Sequence, residues 1–396
     1  MLEALGATSA YPITPFQWMP LNRLTLPGRF SKFVAKAARL TYPYLYRMGR
    51  VPRVHVSFGL QILAWLSQGR LVRQINTLTQ NSDCVIWDAT EVSKKYMEPL
   101  LDLFRGVPSY SIRHGLGLEE DPQALNPNWK PPETIISANT TLFAMTFDDI
   151  DHYKKATGVS NSQIRATGIF RHHPDWITEI SSEESETDNY QRRDSILVIS
   201  RGYSPPDHYL PRERMLGYLQ DIKTVAETLD LRVIIKPHPK ETDLGVHAEV
   251  FGTASRDVEW EISELHLAIL ARRTLFAVSF FSGSCLDLTV YGVPTIERLN
   301  LVGLPKYDLP SAVRDSTGAP VFQMRQHGHV LGSSTTEEFF SRVEEATRDR
   351  KKALLELEEA YSRQFMFPPL SPRALAQQIS ESCFELSKHG LSPVDS

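Results

Sequence analysis

At 396 residues the chain is too long for one typical core and matches two α/β domains of roughly 150 to 200 residues each. A near balance of 43 Lys plus Arg against 47 Asp plus Glu, net charge −4, offers no global argument for a nucleic-acid partner. The 3 cysteines, Cys84, Cys285 and Cys383, have no metal-type spacing and form no even set, which argues against a disulfide framework or structural zinc and suits a reducing cytoplasm.

The charge is unevenly spread. Between Ala4 and Ser82 no Asp or Glu occurs, while Arg23, Arg29, Lys32, Lys36, Arg39, Arg47, Arg50, Arg53, Arg70 and Arg73 all fall there. Phe30, Phe33, Val34 and Ala37 share one side of a helix, with Lys32, Lys36 and Arg39 largely elsewhere. This suits either an anionic leaflet met through residues 23–73 or the charged outer face of a folded domain. An anionic glycan is a third candidate partner. The N-terminus lacks a basic start followed by an apolar core, and the best apolar stretch, VSFGLQILAWL, is shorter than the ~20 residues of a membrane span. The expected location is the cytoplasm, soluble or peripheral on the inner face of the cytoplasmic membrane.

In chain order, DCVIWDAT reads as a strand, SKKYMEPLLDLFRG as a helix and VPSYSIRHG as a strand ending in a turn, a βαβ unit. TIISANTTLFAMTF is strand material, DDIDHYKKATG a helix with acids at its start, and QIRATGIF a short strand. Asp149 and Asp151 form a DxD-like pair, but their place at a helix start makes N-terminal helix charge the better reading. His172, His173 and Pro174 fall where they can line an interdomain cleft. Residues 181–194, SSEESETDNYQRRD, hold a single large apolar side chain, Tyr190, and read as a linker between a domain over 1–180 and one over 195–396. A second series follows: SILVISRG, the helical GYLQDIKTVAETLDL, the strand RVIIKPHP, a helix around SELHLAILARR, the strand LFAVSFF, the turn and helix SGSCLDLTVYG, and the strand VPTIERL. One long charged helix over 335–365 and a shorter one over 371–390 close the chain.

Three turns carry the chemistry. In an open α/β sheet, ligands bind outside the carboxyl ends of the strands. Lys236 and His238 sit just past an apolar strand, with Pro237 and Pro239 stiffening the turn, and a rigidly held cation and imidazole suit a nucleotide phosphate. Ser282, Gly283 and Ser284 lie between a strand and a helix, where exposed N–H groups and the helix dipole favour phosphate, although Ser is also an ordinary N-cap. Arg201 and Gly202 end the first strand of the second series and could meet the same phosphate; Glu297 could accept hydrogen bonds from a ribose. Upstream, His114 ends the run SYSIR, and Gly115 and Gly117 allow close approach of a substrate. An imidazole there is a plausible base for an acceptor hydroxyl. Glu119, Glu120 and Asp121 are its neighbouring rivals, or a solvated turn.

The KPHP turn, the Ser-Gly-Ser turn and YGVPTIE together resemble the C-terminal half of GT-B glycosyltransferases that use cytidine-nucleotide donors. These include bacterial sialyltransferases, polysialyltransferases and Kdo transferases of capsule and lipopolysaccharide synthesis. The CDP-glycerol glycerophosphotransferases of teichoic-acid synthesis look similar in the same places and also carry an HG motif. Only short motifs within about residues 85–300 match, and Pro122 stands where the sialyltransferase acidic pair is followed by Gly.

The resemblance implies an α/β fold of two Rossmann-like domains facing across a cleft, with the C-terminal helices crossing back to the N-terminal domain. It implies an inverting, metal-independent glycosyltransferase without a cofactor, moving a sugar, by resemblance a CMP-linked acidic sugar, to a bacterial surface glycan or lipid-linked glycan. Lys236, His238, Pro239, Ser282, Gly283, Ser284, Arg201, Gly202 and Glu297 would hold the donor. His114 would be the base, with Glu119, Glu120 and Asp121 the alternative. A CDP-polyol phosphotransferase, a nucleotide-sugar epimerase and a non-catalytic glycan-binding or assembly protein remain open on the same scaffold.

Overall fold

The computed structural model describes residues 85–88, 109–112, 140–157, 159–182, 193–201, 210–238, 241, 244–252, 258–304, 307–309, 312–371 and 373–379. The cationic opening segment and residues 183–192 of the expected linker lie outside them.

Two parallel sheets organise the chain. The first has the order β1 (Val85–Asp88), β2 (Ser109–Ile112), β3 (Thr140–Ala144) and β4 (Ile164–Ala166). Six strands form the second: β5 (Ser195–Ile199), β6 (Arg232–Lys236), β7 (Trp260–Ile262), β8 (Thr274–Ser279), β9 (Thr295–Arg298) and β10 (Leu331–Ser333). They lie in the order β10-β9-β8-β5-β6-β7. This is the Rossmann order, and the direction of winding reverses between β5 and β8. β5 reads SILVI with every residue buried, as a parallel strand covered on both faces requires.

Helices cover the second sheet. α3 (Arg212–Leu229) buries Met215, Tyr218, Leu219, Ile222, Val225 and Ala226, spacings that trace one helical face, and ends where Asp230 turns left-handed at φ 52. The expected helix around 263–273 shrinks to α5 (Leu267–Leu270), which starts only where His266 in extended backbone caps it, its Nδ1 accepting from Ala268 N–H at 3.2 Å. α4 (Gly245–Phe251), β7, α7 (Gln323–Gln326) and β10 are not expected from the sequence; all are short and have little periodic signal. The single long closing helix divides into α8 (Thr336–Arg348) and α9 (Arg350–Gln364). Asp349 leaves helical dihedrals between them, at φ −107 and ψ 29. The two apolar faces, Phe339, Val343 and Ala346 on α8 and Ala353, Leu357 and Ala360 on α9, thereby reach different neighbours: α8 lies on the second sheet and α9 on α6 (Ser284–Val290).

The closing segment crosses back to the first sheet. Leu370 N–H donates to Thr167 O at 2.9 Å, the Tyr110 hydroxyl to Ile379 O at 3.2 Å, and the Phe147 and Phe367 rings lie 4.4 Å apart. Gly168 permits this crossing: its φ is +60, and a Cβ there would fall 2.6 Å from Phe367 O.

Between the crossing helix and the second sheet, His329 is 1% exposed, and among the described residues neither of its ring nitrogens has a hydrogen-bond partner. Its ring lies 5.7 Å from Phe365. Burial, reinforced by His327 and Arg363, pushes its pKa down from 6.5 to about 4. The unfolded chain therefore binds this proton more readily than the folded one. Stability is whole above about pH 6.5 and falls towards pH 4, by about 3 kcal/mol from this group. His329→Leu is expected to lose less urea resistance than the wild type between pH 8 and pH 5. Equal losses would place the acid sensitivity elsewhere.

Candidate functional site

Register brings the expected donor residues into line. Ile199 pairs with Lys236 on one side and with Ser279 on the other, and Ser279 pairs with Glu297. Four neighbouring strands thus end at one level, and the chain leaves them into Ser200–Arg201, Pro237–His238 and Phe280–Ser284. These turns flank the point where the winding reverses, the crevice in which open α/β sheets hold ligands.

Each turn is held by side chains behind it. Arg201 donates from Nε and Nη2 to Phe281 O at 3.1 and 2.9 Å, clamping a residue whose φ of +50 is strained for a side chain of this size. Ser282 Oγ, one residue before the Gly283 N-cap of α6, accepts from Ser284 N–H at 3.2 Å and so takes the first N–H of the helix. Lys236 Nζ donates to Glu264 O at 3.1 Å, and burial lowers its pKa. The His238 N–H points inward to Glu241 Oε2 at 3.2 Å. Glu241 Oε1 also accepts from Ser200 Oγ at 2.8 Å, and His247 Nε2 lies 2.9 Å from that hydroxyl. A buried carboxylate therefore ties the turns after β5 and β6 together, and the His238 N–H in the second of them is taken by it.

Glu297 is 1% exposed and accepts from Arg325 Nε at 2.8 Å; burial, opposed by Arg325, pushes its pKa up to about 7. His114, Glu119, Glu120, Asp121, Gly202 and Pro239 lie outside the described residues.

The carboxyl edges of the two sheets meet here. Met145 follows β3, Ile169 follows β4, and both pack with Cys285 and Leu286 at the start of α6. Alongside, Asp287 receives Arg171 Nε at 2.8 Å and His172 Nε2 at 2.6 Å, while the Tyr361 hydroxyl lies 2.6 Å from His172 Nδ1. With Nε2 protonated, His172 donates to Asp287 and accepts from Tyr361, which satisfies both ring nitrogens. Burial raises the Asp287 pKa, but the hydrogen bond from His172 and the charge of Arg171 outweigh it and hold the carboxyl below its ordinary value. Burial lowers His172. It also lowers His266, on which Asp287, Lys236 and Arg171 act in turn, so these groups share one field.

Sequence reasoning singled out His172 but not Arg171, Asp287, Glu241 or His247. A lone Asp in the apolar helix CLDLTVYG is a signal in retrospect, since a buried carboxylate needs a partner. Of the DxD pair, Asp149 behaves as expected of a helix-start residue. Asp149 Oδ2 accepts from Met145 and Thr146 N–H at 2.8 and 3.1 Å, and Thr146 Oγ1 accepts from Asp149 N–H at 3.0 Å. It caps α1 (Phe147–Thr157). The helix α2 (Pro174–Ser182) runs two residues into the expected linker, whose other end is tied to the second sheet by Asp194 N–H donating to Arg273 O at 3.1 Å.

No protein-family model and no curated protein matches the sequence. Among solved structures, the chain is similar to a Listeria monocytogenes protein assigned as a UDP-N-acetylglucosamine 2-epimerase. The match has a TM-score of 0.51 and 13% identity, and covers 82% of this chain and 80% of that one. It is likewise similar to the S. aureus MnaA–UDP co-structure, with a TM-score of 0.50 and 13% identity over 81% and 79% of the two chains. At such identities the likeness is one of fold. Two parallel Rossmann-like sheets, edge to edge, with closing helices that return to the first, are the GT-B arrangement. Among the described residues no helix is long and apolar enough to cross a membrane.

Proposed function

We propose that the chain is a nucleotide-sugar-processing enzyme of GT-B build, and specifically an inverting glycosyltransferase acting on a surface glycan. The observation that carries this reading is the alignment of the turns after β5, β6 and β8 at the reversal point of the second sheet. Lys236, His238 and Ser284 bind the donor phosphates. His114 takes the acceptor proton as the acceptor oxygen bonds to the anomeric carbon, and the bond from that carbon to the nucleotide phosphate breaks on the opposite side. The lysine and the N–H groups of the Ser turn stabilise the departing nucleotide. By resemblance the donor is a CMP-linked acidic sugar.

A second reading is a nucleotide-sugar epimerase. It is favoured by the fold likeness to the Listeria protein assigned to that activity and to a protein solved with UDP. Product analysis with donor alone separates the two: an epimerised sugar supports the second reading, and transfer only when an acceptor glycan is present supports the first.

A thermal-shift screen against CMP, CDP, UMP, UDP and GDP tests the site itself, because a ligand that binds only the folded state raises its stability. One nucleotide is expected to raise the Tm, and His238→Ala or Ser284→Ala to weaken it about tenfold or more, with the fold intact. A cytidine preference supports the cytidine donor, and a uridine preference moves the donor to the UDP class. Wild-type affinity in both variants would remove the phosphate site from these turns.

A further inference from the structure

We propose a second anion-binding site, specific for a phosphate dianion, built by Arg193 and Arg350 at the amino-terminal edge of the second sheet. The two guanidinium groups converge on one oxygen. Arg193 Nη1 donates to Gly292 O at 2.8 Å, and Arg350 Nη2 donates to the same carbonyl. Arg193 Nη1 also reaches Thr274 O at 3.5 Å and Arg350 Nε reaches Leu275 O at 3.3 Å. These carbonyls lie at the start of β8 and before β9, so the pair sits about 20 Å, one strand length, from the turns proposed for the donor.

Charge makes this more than a structural tether. Both side chains are partly buried, and burial lowers the pKa of each, with Arg193 lowering that of Arg350 further. Among the described residues, neither guanidinium forms an ion pair with a carboxylate, whereas four other arginines of this domain do: Arg273 with Glu261, Arg232 with Glu259, Arg298 with Asp221 and Arg325 with Glu297. Two like charges held near one neutral oxygen repel, and among the described residues their desolvation is offset by no paired carboxylate. The Nε and Nη2 of Arg193 make no hydrogen bond to the described residues and are not fully sealed from solvent, so the side-on fork of this guanidinium is within reach of a ligand. That fork matches a pair of oxygens on one phosphorus, and the adjacent Arg350 supplies the second charge. The ligand is a phosphomonoester or inorganic phosphate, either free or as a lipid headgroup.

The test is a titration of the full chain with inorganic phosphate at constant ionic strength, read by Tm and by calorimetry. The wild type is expected to show a saturable rise. Arg193→Gln and Arg350→Gln should each weaken it at least tenfold, while Arg348→Gln, which removes an exposed arginine paired with Glu344, leaves it unchanged. Phosphatidate vesicles, with phosphatidylcholine as control, separate the sources. Sedimentation with phosphatidate that is lost in the Arg193→Gln/Arg350→Gln variant assigns a lipid headgroup, and a phosphate response without sedimentation assigns a soluble ligand. No saturable response in the wild type overturns the proposal without need of any variant. So does a response that survives the double substitution, or one that disappears in His238→Ala and therefore belongs to the donor turns. The nucleotide screen is independent of this result, so either reading can fail alone.

Discussion

Asp287→Ala is expected to lower the stability of the folded chain by about 3–5 kcal/mol, the cost of removing one partner from a buried ion pair. The substitution strands His172, buried at 5% exposure, and leaves the Arg171 guanidinium without its carboxylate. Tyr361→Phe, which takes only the hydroxyl from His172 Nδ1, should cost about 1–3 kcal/mol. Because His172 reaches Asp287 from the far side of the junction between the sheets, urea unfolding should be followed with probes on both. The two costs are expected to be non-additive in the Asp287→Ala/Tyr361→Phe double variant, since both act through one imidazole. Full additivity, or a loss below about 1 kcal/mol for Asp287→Ala, would show that the cluster does not hold the junction. The pH dependence has a definite sign. Asp287, held below its ordinary pKa, contributes stability above that pKa and loses it as the carboxyl protonates; His172, also lowered, adds destabilisation as pH falls below its ordinary value of 6.5.

The second large effect concerns chemistry. If His114 takes the acceptor proton, His114→Ala should lower turnover by about 10²- to 10⁴-fold with little change in nucleotide affinity, because general-base catalysis acts in the transition state. Glu120→Gln should then be mild. A near-silent His114 change together with a crippled Glu119, Glu120 or Asp121 variant would transfer the role to the acidic cluster. Loss of donor binding in His114→Ala would instead place that residue on the nucleotide. Pre-steady-state measurements that separate binding from transfer distinguish the three outcomes.

The apolar runs SILVI, RVIIK and TLFAVS were legible as strands because a parallel strand buried on both faces must be continuously apolar. The turns after them were legible because Pro, Gly and Ser punctuate the runs abruptly. Local composition was thus enough to name Lys236, His238 and Ser284 as neighbours of strand ends. It could not say that Lys236, Ile199, Ser279 and Glu297 stand in one row, since register depends on which strands pair, and β5 meets β8 across an intervening stretch that holds two other strands. Nor could it show what stands behind the turns. The Glu241 carboxylate serves His238 and Ser200 at once only when β5 and β6 are side by side.

Tertiary structure alone decided the junction. Arg171 and His172 lie more than 100 positions from Asp287, and Tyr361 lies 189 positions from His172, so no window of local pattern contains the cluster. The same holds for Arg193 and Arg350, which read as ordinary surface cations in a polar segment and within one long charged helix. What the sequence determined by itself is where strands end and which side chains stand at those ends, because periodicity and turn chemistry act over a few residues. What only the folded chain decided is which charges are buried together, because desolvation and pairing are properties of the packed surroundings and not of the residue.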